Sequence, residues 1–215
     1  MTELINCDCM DLMRNYSENY FELAIVDPPY GIGMDGCEYK NTPSGEKSIK
    51  NYTTGLKTVK KGWDKKPSPN YFFELERVSE NQIIWGGNFF TKTIQEKSGW
   101  IVWDKKQPEK NTFSSAELAY TSFNNIIKTF RMYPTHVTQG KKIHPTQKPV
   151  KLYRWLLENY AKPGDKILDT HLGSGSIAIA CHYMGFDLTA CEIDKDYYDD
   201  AMKRIKEETA QLSML

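Results

Sequence analysis

Short apolar runs alternate with amphipathic stretches along most of the chain. Apolar residues dominate 21–26 (Phe-Glu-Leu-Ala-Ile-Val), 82–85, 100–103 and 166–168, and each run ends in polar or small residues, as strands of a covered parallel sheet do before functional loops. Positions 187–191 and 116–121 read as two further strands, the second a candidate for antiparallel pairing. Three- and four-residue apolar spacing predicts helices over 71–78, 150–160, 176–184 and 195–205, and a weaker one over 10–16. Strands alternating with helices predict an α/β fold of crossover units around a mostly parallel sheet. From 31 to 70 the period disappears into Gly, Pro, Ser, Asn and Lys, so this segment reads as a long loop insertion, a length usually tied to function or disorder.

With 215 residues and 40% hydrophobic content, the chain is sized for one core, so 1–215 is expected to form a single domain. No apolar run reaches the roughly 18 residues of a membrane span, and the first residues lack a secretion-signal pattern, so a cytoplasmic protein without membrane contact is expected. Cys7, Cys9, Cys37, Cys181 and Cys191 are odd in number and scattered, which suggests reduced thiols and no metal site. The net charge of +0 argues at first against a polyanionic partner. Its distribution argues otherwise. Eight lysines face two acids between 40 and 66, whereas eight acids face four bases between 187 and 208. Taken alone, both segments read as solvated surface.

Two segments carry candidate chemistry. The first, Phe21-Glu-Leu-Ala-Ile-Val-Asp27-Pro28-Pro29-Tyr30-Gly31, runs an apolar strand into an acid, two prolines and an aromatic. Ligands of open α/β sheets bind beyond the strands' carboxyl ends, which is where Asp27 falls. Pro28 and Pro29 stiffen the turn and remove two backbone donors, so their carbonyls can only accept. An acid, accepting carbonyls and the Tyr30 ring make a receptor for a planar amino group on a flipped base. An acid capping a tight turn, with Tyr30 in the core, is the plainer alternative.

The second segment is Asp165-Lys-Ile-Leu-Asp169-Thr-His171-Leu-Gly173-Ser174-Gly175-Ser176, a strand and a glycine turn leading into a helix. Glycines let the backbone approach a ligand, and the helix N-terminus adds donors. The turn matches neither the dinucleotide fingerprint nor the phosphate loop. Glu192, followed by Ile193, ends the next strand about 20 residues on, where an acid grips a ribose diol. A glycine turn and a ribose acid without a phosphate grip describe an adenosine ligand bearing an amino acid. A plain βαβ unit is the alternative.

Together the two segments resemble the DNA amino-methyltransferases that act on N6 of adenine or N4 of cytosine, in the subgroup called beta, where Asp-Pro-Pro-Tyr precedes the cofactor loop. The resemblance covers nearly the whole chain. It implies S-adenosylmethionine as cofactor and a Rossmann-like methyltransferase fold, with a mostly parallel seven-stranded sheet circularly permuted so that the catalytic strand comes early. His144-Pro145-Thr146-Gln147-Lys148-Pro149 matches the family segment beside the cofactor's methionine part, implicating His144, Thr146 and Lys148. Asn6-Cys7-Asp8-Cys9 resembles the element whose acid meets the cofactor's adenine, implicating Asp8 and Cys9. Gln82-Ile-Ile-Trp-Gly86-Gly87-Asn88-Phe89 matches a family strand and loop.

The resemblance implies a site-specific enzyme that methylates double-stranded DNA, as in restriction-modification. Asp27 favours adenine N6, because relatives acting on cytosine N4 more often carry Ser there. The rivals are N4-cytosine methylation, methylation of RNA or of a protein amide, and a catalytically silent DNA-binding module. Lys57, Lys60, Lys61, Lys65 and Lys66 are the expected DNA contacts, and 121–143 is a short candidate target-recognition region. His171 stands where the family commonly has Phe, and a neutral, packed imidazole is expected. A homodimer is admissible, and the sequence does not say whether a restriction nuclease is a partner.

Overall fold

The structure, a computed structural model, describes residues 2–33, 62–107, 114–134 and 143–210. Eight strands form one sheet: β1 (Thr2–Ile5), β2 (Phe21–Val26), β3 (Ser79–Trp85), β4 (Trp100–Asp104), β5 (Ala116–Thr121), β6 (Lys128–Arg131), β7 (Lys166–Asp169) and β8 (Asp187–Cys191). Their spatial order is β1-β8-β7-β2-β3-β5-β4-β6. β5 alone runs against its neighbours β3 and β4, and every other pairing is parallel. Five helices connect them: α1 (Cys9–Met13), α2 (Pro69–Val78), α3 (Val150–Tyr160), α4 (Ser176–Met184) and α5 (Lys195–Ala210).

Both faces of the sheet are covered, which is why its central strands read as continuous apolar runs. Leu23 and Ile25 of β2 pack in one core with α3, α4 and α5, while Ala24 and Val26 join the opposite core with Leu12 of α1 and Tyr71 and Leu75 of α2. All six strands expected from the pattern are present, β5 antiparallel as anticipated. The sheet differs from the expected seven strands by having eight, because four-residue strands, β1 and β6, lie at its two edges.

The connections diverge between β2 and β7. From β2 the chain passes through α2 to β3 on one side, and from β7 through α4 to β8 on the other. Such a switch point opens a crevice at the strands' carboxyl ends. Asp27 and Asp169 both emerge there, since Ala24 of β2 is in register with Leu168 of β7. Most of the basic insertion, 34–61, lies outside the described residues, and with it Lys57, Lys60 and Lys61. The same holds for 135–142 of the target-recognition candidate, whose described part contains β6.

Candidate active site

Asp27 follows β2 directly, and its carboxylate is held from two directions. The Tyr30 hydroxyl donates to Oδ1 at 2.7 Å, and the Lys148 ammonium donates to Oδ2. Tyr30 in turn lies flat against the loop after β3. Its ring stacks on Phe89 with centroids 5.0 Å apart and planes 18° apart. Gly86, at φ +68°, makes that position possible: a Cβ there would fall 2.2 Å from Tyr30 Cε1. The Gly-Gly-Asn-Phe turn thus leaves Phe89 36% exposed at the rim of the crevice.

Behind Asp27 lies a row of charges. Lys148, whose side chain is 2% exposed, sits between Asp27 and Glu117 of β5, 3.3 Å from Glu117 Oε2. Lys105, just past β4, pairs with the other Glu117 oxygen. The indole of Trp85 lies 5.2 Å below the ammonium. Burial raises the Asp27 carboxyl above its ordinary range, and Lys148 offsets part of that rise. Burial works in the same sense on Glu117, but Lys148 and Lys105 overcome it and hold that carboxyl down at about 2. For Lys148 burial opposes the charge, yet Asp27 and Glu117 more than restore it, so its pKa lies above the usual lysine value.

The glycine turn forms the other half of the crevice. Gly173 donates its N–H to Glu192 Oε2 at 2.9 Å, and Asp194 donates to Oε1 at 3.0 Å, so the acid after β8 is tied to the turn after β7. Ile193 beside it is exposed. Asp169 accepts the His171 N–H at 3.0 Å; burial pushes its carboxyl up to about 8. Ser176 donates to the Lys148 carbonyl at 2.7 Å, joining the turn to the His144–Lys148 segment, and a Cβ on Gly173 would approach the His144 ring at 3.7 Å. His144 packs against Tyr197 and accepts the Thr146 N–H. Arg204 of α5 donates to the Ser174 carbonyl at 2.9 Å and braces the turn from below.

Asp8 caps α1, accepting the Met10 N–H at 2.7 Å, and lies just beyond β1, the neighbour of β8. Burial pushes the adjacent Cys9 thiol up to about 12, which keeps it protonated. His171 is in contact with Thr170 and the Tyr71 ring, and burial lowers its pKa to about 4. It is a neutral, packed imidazole, as anticipated. Of the basic loop, Lys65 and Lys66 are described. Lys66 donates to the Phe89 carbonyl, and Asp64 accepts the Gly31 N–H at 2.8 Å, so the returning end of the loop lies on the Tyr30 turn.

The sequence-derived residues therefore group into two halves of one crevice, with one change of place. Lys148, implicated in the cofactor region by resemblance, directs its ammonium at Asp27 and Glu117 instead. Sequence reading missed Glu117 and Lys105 entirely and assigned no role to Phe89. A charged residue inside the otherwise apolar β5 was the available signal for Glu117.

Solved structures define the fold class. The chain is similar to the M1.HpyAVI–SAM complex, with TM-score 0.61 and 16% identity over 95% of this chain and 100% of that one. It is similar also to the PvuII DNA methyltransferase described as cytosine-N4-specific, with TM-score 0.61 and 9% identity over 98% and 92%. In sequence it is 24% identical to the type II methyltransferase M.HpaI of Haemophilus parainfluenzae, covering 95% of this chain and 74% of that protein. It is 27% identical to the type II methyltransferase M2.MboI of Moraxella bovis, covering 95% and 90%. The family model of the N6/N4 DNA methylases matches residues 80–203, more than half of the chain, and the chain belongs to that DNA methylase family.

Proposed function

We propose that this DNA methyltransferase transfers a methyl group from S-adenosylmethionine to N6 of adenine in double-stranded DNA. The observation that carries the reading is the Asp27 carboxylate, fixed by Tyr30 and Lys148 in the switch-point crevice, next to proline carbonyls that can only accept. The cofactor supplies an electrophilic methyl on a sulfonium that leaves as a neutral thioether. The crevice fits such a group by its donor set. Glu192 and Asp8 are acceptors suited to ribose hydroxyls and an adenine amino group. Asp169, a buried carboxyl pushed up to about 8, is suited to an incoming ammonium.

Adenine N6 is a weak nucleophile because its lone pair is delocalised into the ring. Asp27 and the Pro28 carbonyl would each accept one amino hydrogen, which localises that pair and aims it at the methyl. Tyr30 and Phe89 provide the stacking surface for the flipped base. An ionised Asp27 is too weak a base to deprotonate a neutral amine beforehand, so the proton leaves after transfer. The chain's contribution is therefore positioning and electrostatic stabilisation.

The test is incubation of unmethylated duplex DNA with isotope-labelled cofactor, digestion to nucleosides and mass spectrometry. Label on N6-methyladenosine is the expected result. Label on N4-methylcytidine alone overturns the choice of base, and no label on either overturns the activity.

A further inference from the structure

We propose that Lys148 is a positioning residue for Asp27, holding its carboxylate ionised and oriented for the amino group, and that Glu117 holds Lys148 in that place. The proposal rests on the reading of Asp27 as the acceptor of the target amino hydrogens. Three side chains from distant parts of the chain meet here, with Lys148 separated from Asp27 by 121 positions. The ammonium is almost wholly enclosed, at 2% exposure, and both of its carboxylate partners are largely covered.

Burying such a group costs several kcal/mol per ion, and a buried ion pair is weak evidence for stability, so a role in the site is the more economical account. The chemistry supplies that role. An amino group needs an acceptor, but a protonated carboxyl presents an O–H that opposes the amino N–H. Without Lys148, Asp27 would face Glu117 with no cation between them, and two close buried carboxylates cannot both stay ionised at neutral pH. The remaining groups around Asp27 do not replace the cation. They are the Tyr30 hydroxyl from the same turn, Asp169 from β7, Tyr153 from α3, and Lys105, which is committed to Glu117. Tyr30 and Lys148 take one direction on each carboxylate oxygen, which fixes the plane of the group and leaves its remaining lone pairs for a ligand.

The test reads Asp27 directly. Carbon-13 NMR of carboxyl-labelled full-length protein, with Asp27→Asn identifying the resonance, follows the titration in wild type, Lys148→Met and Glu117→Gln. Methyl transfer to DNA is measured against pH on the same preparations, with cofactor affinity by calorimetry. Lys148→Met is expected to move the Asp27 titration upward and the acid limb of methyl transfer with it, lowering turnover at pH 7 at least about tenfold, since one unit of pKa is a tenfold change in ionised fraction. Turnover should recover as pH rises, with cofactor affinity within about threefold, because Lys148 does not face the glycine turn. Glu117→Gln is expected to move both downward by removing a negative neighbour. These opposite signs are not produced by general loosening of the structure. An Asp27 titration unmoved in both variants, or a Lys148→Met loss found only in cofactor affinity, overturns the proposal. If Lys148→Met fails to fold, an unmoved titration in Glu117→Gln alone overturns it. If wild type transfers no label to DNA while the titrations shift as expected, the acceptor reading fails and the positioning of Asp27 by Lys148 stands.

Discussion

Glu192 accepts the Gly173 N–H at 2.9 Å, which makes the acid after β8 and the glycine turn after β7 a single unit. Glu192→Ala therefore removes a charged acceptor for ribose hydroxyls and the tether of the turn at once. Cofactor affinity is expected to fall by about 1.5 to 3 kcal/mol, the range for hydrogen bonds to a charged group. Methyl transfer at saturating cofactor should survive, because Asp27 is untouched. Calorimetry separates the two effects, and an unchanged dissociation constant would leave Glu192 with a structural tether alone.

Asp169 supplies a pH test of the fold. Its folded-state pKa, pushed up to about 8 chiefly by burial, lies above the unfolded value of about 3.9. Its contribution is then fully present below about pH 4 and is lost as pH rises towards about 8. Asp169→Asn keeps an acceptor for the His171 N–H and carries no charge. It is expected to be more stable than wild type in the absence of cofactor, with the gain larger at pH 8.5 than at pH 5.5 by on the order of 2 kcal/mol. Denaturant titrations at the two pH values check this, and an equal difference at both would contradict the assigned burial effect.

His171, with its pKa lowered to about 4 by burial, carries no charge at neutral pH. Proton titration of its ring should show no inflection between pH 5.5 and 8.5. His171→Phe should leave the pH profile of methyl transfer in place and turnover within about threefold, as a volume-conserving change in a packed site. A shift of the profile would assign the imidazole a part in the chemistry.

The strands around the site were legible because both faces of the sheet are covered, so β2, β3, β7 and β8 stand out as apolar runs. The edge strands were not. β1 and β6 are four residues long and each half exposed, too short to show a period. The same division holds in the site. Asp27, Asp169 and Glu192 follow strands, where topology locates them. The Lys148–Glu117 pair depends on β5 running antiparallel beside β3, and nothing local announces a meeting across that distance. Phe89 acquired meaning only when Gly86 was found beneath Tyr30.

The basic loop is open to a salt titration. Neutralising Lys57, Lys60, Lys61, Lys65 and Lys66 together should reduce the slope of log DNA affinity against log salt by about 0.9 for each DNA phosphate that no longer meets a lysine. Lys66 also holds the Phe89 carbonyl, so Lys66→Ala alone should impair turnover more than it changes that slope. A five-site variant with the wild-type slope would remove the loop from DNA binding.

The central claim, that Asp27 is the acceptor which prepares the amino group, is tested most directly by single-turnover methyl transfer in Asp27→Ala preloaded with cofactor. The expected result is a fall in transfer of about 100-fold or more, as for removal of a main electrostatic group in an active site, with cofactor affinity unchanged. Transfer at more than about a tenth of the wild-type rate, at the same cofactor occupancy, would contradict it.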